Sequence, residues 1–461
     1  MKREILAGIL FLSVATGVAF GRDCDFRPVP RPSQLSRIES EFELYGIVHW
    51  GLNTYTDREW GYGDEEPALL APSGFDANQI VRAAKDGTLQ GLIVVAKHHD
   101  GFCLWPTLTT EHNISKSPFR GGKGDYVREM SEACNKYGLK FGVYCSPWDR
   151  NSAAYAMPKY VEIFHAQIKE LLDGCYGEVF EMWFDNANGG DGYYGGAKEK
   201  RTIPSGYYRF DEVFGFVRRL QPGVCIFNED DAADFRWPGN ERGVLDGDCR
   251  ATGARFDIAK YADYRVWAHT GVKNGVKFHP PEADFPLRRG WFYHAKEKGS
   301  TKSPLYLMQR YLAAVGNGGT MNIGIAPDKR GVMCDDDVRA LKGFGAIKKA
   351  FFANETEKGP CNVVVMREDV ANGERVDNWS LYADGERLLC GKSIGIKRIR
   401  ILPRTVCAEN IRLEVKSDTQ RAPKMKRSRF YLVDEKLLKS IIAATEKSGE
   451  TDTAEWMNSA R

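Results

Sequence analysis

With 461 residues, 43% apolar and 28% charged, the chain has the composition of a folded globular protein and too much length for one small domain. Its formal net charge of +3 is too low to draw in a nucleic acid or an anionic membrane surface by long-range attraction, so a neutral partner is expected. The 11 cysteines are odd in number and include no CxxC pair, which gives neither a zinc ribbon nor a disulfide framework.

The chain opens with Met1-Lys-Arg3, the apolar stretch Ile5 to Phe20, and small residues at Ala19-Phe-Gly21, the three parts of a secretory signal peptide over residues 1–21. The apolar run is short for a span, and Cys24 lacks the small residue that lipid attachment needs before it, so stable membrane insertion is not expected. The mature chain is expected to be exported, to the periplasm or the extracellular space. From Tyr45 to about Pro327, short apolar runs alternate with segments of helical period. The strands predicted are Tyr45 to Trp50, Gly91 to Lys97, Leu139 to Ser146, Val179 to Asp185, Val224 to Asn228 and Thr320 to Ala326. Asp76 can cap a helix running through Ala84, Asp125 one ending at Gly138, and Pro158 opens a third that reaches Gly174.

A doubly wound open sheet would show the same alternation, but no strand is followed by a Gly-rich phosphate turn, and polar residues crowd the C-terminal ends of four strands. The prediction is an α/β protein: an irregular (β/α)8 TIM-type barrel over residues 22–348. After a helix from Val338 to Phe351 come strands at Cys361 to Met366, Trp379 to Ala383, Ile394 to Leu402, Ile411 to Val415 and Phe430 to Val433. These predict a small C-terminal antiparallel β-sandwich over 349–434, followed by a polar helix and tail at 435–461. The basic run Lys424-Met-Lys-Arg-Ser-Arg429 reads as a solvated loop rather than a polyanion site.

In such a barrel the site is built from the loops after the strands. There stand His49-Trp50-Gly51, Lys97-His98-His99-Asp100-Gly101, Tyr144 and Trp183-Phe184-Asp185. Three histidines, a tyrosine and a carboxylate at one mouth, with Trp50, Trp60, Trp105 and Trp183 nearby, suit a sugar, whose hydroxyls need hydrogen bonds and whose C–H face needs an aromatic ring. Three histidines and an aspartate could also bind zinc, but neither His-x-His nor His-Glu-x-x-His occurs, and His98 and His99 point to opposite sides if they continue a strand. The sugar reading ranks first, with no metal and no cofactor. His112, His165, His269 and His279 read as structural side chains. For Asp185 alone, a helix cap or a hydrogen-bonded anchor would be the safer reading; the clusters around it change that. Glu229, Asp230, Asp231, Asp234, Glu241 and Asp246 all follow the fifth strand, and spacing does not choose among them.

The sequence resembles the alpha-L-fucosidases of glycoside hydrolase family 29 through Gly46-Ile-Val-His49-Trp-Gly51, Glu59-Trp60, Ala96-Lys-His-His-Asp-Gly-Phe-Cys-Leu-Trp105, Gly138-Leu-Lys-Phe-Gly-Val-Tyr144 and Trp183-Phe-Asp185. The resemblance implies a barrel followed by a β-sandwich, with Asp185 as nucleophile and His49, Glu59, Trp60, His98, His99, Tyr144 and Trp183 holding fucose. Arg236-Trp-Pro-Gly-Asn-Glu241-Arg-Gly243 is similar to the block that carries the general acid/base in the branch acting on alpha-1,3/4-fucosyl linkages. It implies Glu241 in that role and Arg236 as a sugar ligand, with Trp237 as an apolar wall beside the acid. Pro280-Pro-Glu282-Ala-Asp284 and Gly290-Trp291-Phe-Tyr293 are similar to that branch's later loops, which places Glu282, Asp284 and Trp291 at a leaving-group subsite. Two departures stand out: Asn186 replaces a glycine common after the nucleophile, and Asn228 to Phe235 is longer and more acidic than in relatives.

A retaining glycosidase needs one carboxylate to attack the anomeric carbon and a second carboxyl roughly 5 Å away to protonate the leaving oxygen. The expected activity is release of alpha-L-fucose from fucosylated oligosaccharides or glycoconjugates through a covalent intermediate. The competing readings are a retaining glycosidase acting on L-galactose, a fucose-binding protein without catalysis, and a metal-dependent hydrolase.

Overall fold

The computed structural model describes residues 26–255 and 261–444; the predicted signal peptide and most of the C-terminal tail lie outside them. Seven parallel strands form the main sheet. They are β1 (Leu44–Val48), β2 (Gly91–Lys97), β3 (Lys140–Cys145), β4 (Val179–Trp183), β5 (Cys225–Phe227), β6 (Glu282–Pro286) and β7 (Thr320–Ile325), in the order β6-β7-β1-β2-β3-β4-β5. Six match runs read from sequence. The seventh, β6, carries Glu282 and Asp284 and lacks the apolar run that marks a strand, so it read as loop.

The sheet curls without closing into the eight-stranded barrel expected. Among the described residues β5 and β6 do not pair directly; isolated bridges link Phe227 with Phe235 and Arg236 with Pro281. The intervening Asn228-Glu-Asp-Asp-Ala-Ala-Asp234 and Trp237-Pro-Gly-Asn240 hold too few β-formers and too much charge, proline and glycine to extend those bridges into a strand.

Helices follow the strands with the stop and start chemistry read from sequence. Asp76 accepts the Gln79 amide (3.1 Å) at the start of Ala77–Asp86, and Asp125 accepts the Arg128 amide (3.0 Å) at the start of Tyr126–Tyr137. Gly138 ends the latter at φ 72°, a left-handed position that a side chain would strain. The helix read from Val338 begins earlier, at Asp335; its first turn holds Asp335, Asp336 and Asp337, which favour the positive helix end but contribute nothing to apolar periodicity.

Alternation along the strands sorts two cores. Leu44, Val48, Leu92, Val94, Met182 and Ile226 face the helices, whereas Tyr45, Ile47, Ile93, Val95, Trp183 and Phe227 face the inside of the curl. Beyond the last helix, β8 (Glu355–Thr356), β9 (Pro360–Met366), β12 (Arg398–Cys407) and β14 (Arg429–Tyr431) form one antiparallel sheet. A second holds β10 (Asn378–Ala383), β11 (Glu386–Gly391) and β13 (Ile411–Lys416). Val364, Met366, Trp379, Leu381, Leu402 and Val406 from the two sheets share one core, the arrangement expected of a sandwich. The strand read as Ile394 to Leu402 starts later, at Arg398. Gly395 has φ 57°, and the buried Arg398 and Arg400 turn toward the main sheet's loops, where Arg400 donates to the Gly316 carbonyl (2.9 Å) and the Asn317 side chain (3.0 Å). None of the described helices is long and apolar enough to cross a membrane.

Candidate active site

A cavity of about 610 Å³ opens at the C-terminal ends of the parallel strands. Period two explains which side chains reach it. On β1 the inward series is Tyr45, Ile47, His49; on β4 it is Glu181, Trp183, Asp185; on β5 it is Cys225, Phe227, Glu229; on β6 it is Glu282, Asp284. The last member of each series lines the cavity. A register shift between Val95 and Lys97 breaks the alternation on β2 and sends Lys97 away to Gln167 (2.8 Å) and Tyr160 (3.0 Å). The strand ends there. Contrary to the expectation of opposite sides, His98 and His99 both face the cavity with ring centres 4.2 Å apart.

Asp185 Oδ1 accepts the Ala187 amide (2.7 Å) and Oδ2 accepts the Tyr144 hydroxyl (3.1 Å). This leaves the carboxylate held by its own turn and by β3. His99 Nε2 lies 3.7 Å from Oδ2. Burial holds all three histidines below their ordinary range, His49 at about 3 and His99 at about 4, the latter despite the nearby charge of Asp185. They are neutral at pH 7. Ser146 donates its hydroxyl to the Trp148 carbonyl (2.7 Å), so His99 Nδ1, 2.7 Å from that hydroxyl, carries the proton and Nε2 is left as an acceptor. The Asn53 amide donates to His98 Nδ1 (3.4 Å), which makes His98 Nε2 the donor. Side by side, the two rings offer one donor and one acceptor, a pattern suited to hydroxyl groups.

Three more carboxyl groups line the cavity: Glu229, Glu241 and Asp284. Glu229 is buried, its Oε2 has no partner, and burial followed by the charge of Asp185 pushes it up to about 8. Asp284 is buried with Oδ1 unpartnered; burial, then Glu241 and Glu282, raise it well above the carboxylate range. Glu241 differs. It stands at the exposed rim and accepts the Trp291 indole N–H (3.2 Å). Burial of the carboxyl, then the charges of Asp185 and Glu59, raise its pKa against the lowering effect of that hydrogen bond. Trp60, 53% exposed, stands at the mouth with its ring edge-on to His99 (5.2 Å), and Trp291 closes the other side beside His49 (5.1 Å). Among the described residues, no group of three His, Cys, Asp or Glu side chains could hold a metal ion.

Of the residues singled out from sequence, Asp185, Glu241, His49, Trp60, His98, His99, Tyr144, Trp183, Asp284 and Trp291 meet at this cavity. Five do not line it. Trp50 follows the inward His49 and so points outward, stacked on Phe75 (5.1 Å) with its indole donating to the Asp328 carbonyl (3.1 Å). Trp105 is buried and donates to Glu170 (2.8 Å). Arg236, fully buried, directs its guanidinium to the Ala268 (2.8 Å), Arg250 (2.9 Å) and His279 carbonyls and to Cys249 Sγ (3.7 Å), away from the cavity where a sugar would lie. Glu282 lies beneath the cavity floor, where it accepts from Trp183 (2.9 Å), Asn322 (2.9 Å) and the Tyr45 hydroxyl. Glu59 lies behind Trp291, accepting its backbone N–H (2.9 Å). Asn186, Glu229 and Trp237 also line the cavity. Glu229 was legible as a position, two residues beyond the inward Phe227, but not as a choice among six acids.

Comparison with known proteins gives the family and the fold. The profile of the alpha-L-fucosidase family matches residues 37–350. Alpha-L-fucosidase 1 of Arabidopsis thaliana is 33% identical over 387 residues, which cover 79% of this chain and 73% of that protein. The crystal structure of a glycoside hydrolase 29 family member from an unknown rumen bacterium superposes with a TM-score of 0.81 at 35% identity, covering 94% of this chain and 80% of that one. The structure of SpGH29 superposes at 0.79 with 28% identity, over 89% of this chain and 99% of that one.

Proposed function

The chain belongs to the alpha-L-fucosidase family of glycoside hydrolases, and from that premise we propose that it releases alpha-L-fucose from alpha-1,3/4-fucosylated glycans with retention of configuration. The observation that carries the reading is the pairing of Asp185, held by two donors at the cavity floor, with Glu241, a rim carboxyl of raised pKa. Asp185 attacks the anomeric carbon while Glu241 protonates the departing glycosidic oxygen. The fucosyl–Asp185 ester then breaks as water attacks the same carbon, its proton passing to Glu241. Glu241 suits the acid role better than Glu229 or Asp284 because the leaving group departs through the open rim, where Glu241 stands and the other two do not. His98 as donor and His99 as acceptor would address sugar hydroxyls, and Trp60 and Trp291 would flank the ring. The linkage preference rests on the likeness of Arg236 to Gly243 to the alpha-1,3/4 branch. Export rests on the N-terminal segment.

Asp185→Gly and Glu241→Gly, assayed on an activated aryl fucoside with and without azide, test the assignment. Azide is expected to restore turnover in both. The product from Asp185→Gly carries the configuration opposite to the substrate's, because azide takes the missing carboxylate's place. Parent-like activity in both variants without azide would overturn it. Faster cleavage of an alpha-1,2-linked than of an alpha-1,3/4-linked fucoside would remove the linkage preference alone, and faster turnover of the matching L-galactoside would change the sugar.

A further inference from the structure

Behind Trp291 lies a polar cluster that the proposed chemistry leaves unused. His294 is buried between two carboxylates from the turn after helix Leu52–Thr56: Nδ1 lies 2.7 Å from Asp57 Oδ1 and Nε2 lies 2.6 Å from Glu59 Oε1. Carboxylates only accept, so both ring nitrogens donate and the ring is an imidazolium. Burial opposes that charge, and the two carboxylates outweigh it.

Glu59 passes this fixation on. Its Oε2 accepts the Trp291 N–H (2.9 Å) and its Oε1 accepts the Phe292 N–H (3.2 Å). A Cβ at residue 290 would stand 2.2 Å from Glu59 Oε1, so Gly290 is what lets the loop lie against the carboxylate. The loop therefore meets Glu59 at both amides and at the His294 ring. Its next side chain, the Trp291 indole, donates to Glu241 Oε2 (3.2 Å).

We infer that His294, with Asp57 and Glu59, is a positioning unit that sets the Trp291 indole and, through it, the orientation of the Glu241 carboxyl. The inference rests on Glu241 being the general acid/base. A carboxyl displaced by about 1 Å from the leaving oxygen can lose ~10²-fold in rate. That loss falls on substrates whose leaving group needs a proton and spares those whose leaving group departs unaided. A staple that only stabilises the fold would make no such distinction.

The test compares two fucosides, one with an unactivated leaving group such as phenol or a sugar and one with 2,4-dinitrophenol, in the parent, Glu241→Gln and His294→Ala. His294→Ala is expected to lose on the order of 10²-fold on the unactivated fucoside and to stay within about threefold on the dinitrophenyl one. Glu241→Gln should show the same split, only wider. His294→Gln, which keeps one donor, should recover part of the loss. Should His294→Ala fail to fold, Asp57→Asn takes its place: the Asp57 side chain is 54% exposed, and its φ of 58° is one that asparagine tolerates. A split in Glu241→Gln with none in His294→Ala or Asp57→Asn overturns the inference and leaves the acid assignment standing. No split in Glu241→Gln overturns both.

Discussion

The two sides of the cavity are built by different means. On the β1-to-β4 side, Tyr144 and Trp183 occupy strand positions held by neighbouring strands, and His49 and Asp185 continue the same alternation just past the ends of β1 and β4, so the backbone aims all four. On the β5-to-β6 side, Glu241 and Trp291 stand on irregular segments outside any strand. Polar anchors replace strand pairing there: Arg236 on three carbonyls, Glu59 on two amides, His294 between two carboxylates. The difference teaches that a substitution on the strand side should cost chemistry and spare the fold, while one on the loop side should cost order first.

The sharpest version of that contrast is Asp185→Asn. An amide can keep one acceptor for the Ala187 N–H and stay beside the Tyr144 hydroxyl, so the melting temperature should change little. With the nucleophile gone, kcat should fall on the order of 10⁴-fold. A melting shift as large as that of a core deletion, or a loss under tenfold, would break the strand-side half of the comparison.

Arg236→Met is the loop-side counterpart. It keeps much of the volume and removes the Arg236 donors from three carbonyls, of which the Arg250 carbonyl keeps only the Cys249 thiol (3.7 Å). A loss of about 3 kcal/mol of stability is expected in urea or thermal unfolding. The remaining folded enzyme should respond to 2,4-dinitrophenyl fucoside better than to an unactivated one, because the segment that carries Glu241 begins at this anchor. Normal stability with reduced fucose affinity would restore Arg236 as a sugar ligand.

The same contrast sets how much could be read from sequence. Residues 44–48, 91–97, 140–145 and 179–183 are largely apolar runs of strand length, so the strands and the polar residues at their ends were legible, with bounds that differ by up to two residues. β6 was not, because Glu282 and Asp284 occupy its inward positions and the partners of Glu282, namely Tyr45, Trp183 and Asn322, come from strands distant in sequence. Trp50 and Trp105 were misplaced for a related reason: an aromatic near a strand end has the right chemistry for a sugar, but its side of the sheet depends on local register. Arg236 and Glu59 are the long-range cases. A charged residue in a motif looks like a ligand until the carbonyls and amides that it satisfies are in view.

Glu229 stands at the seam between the two sides, on the last turn of strand alternation and the first residues of the irregular segment, and the smallest effect is expected there. Its carboxyl titrates near about 8 because burial and the charge of Asp185 both oppose ionisation. In the unfolded chain it ionises near the ordinary value of 4.5. Between those two values the folded state alone holds the proton, so stability falls as pH rises from about 4.5 to about 8. Glu229→Gln removes that penalty, and its melting temperature should exceed the parent's by more at pH 8 than at pH 5. In kcat/KM the parent should lose activity above about pH 8 as a second negative charge appears beside Asp185, and Glu229→Gln should move that limb to higher pH with only a few-fold change at pH 7. Because Gln cannot give up a proton, an unchanged alkaline limb would mean that the limb belongs to another group, Glu241 or Asp284. A loss as large as that of Glu241→Gln on unactivated fucosides would move the acid from the rim to the seam.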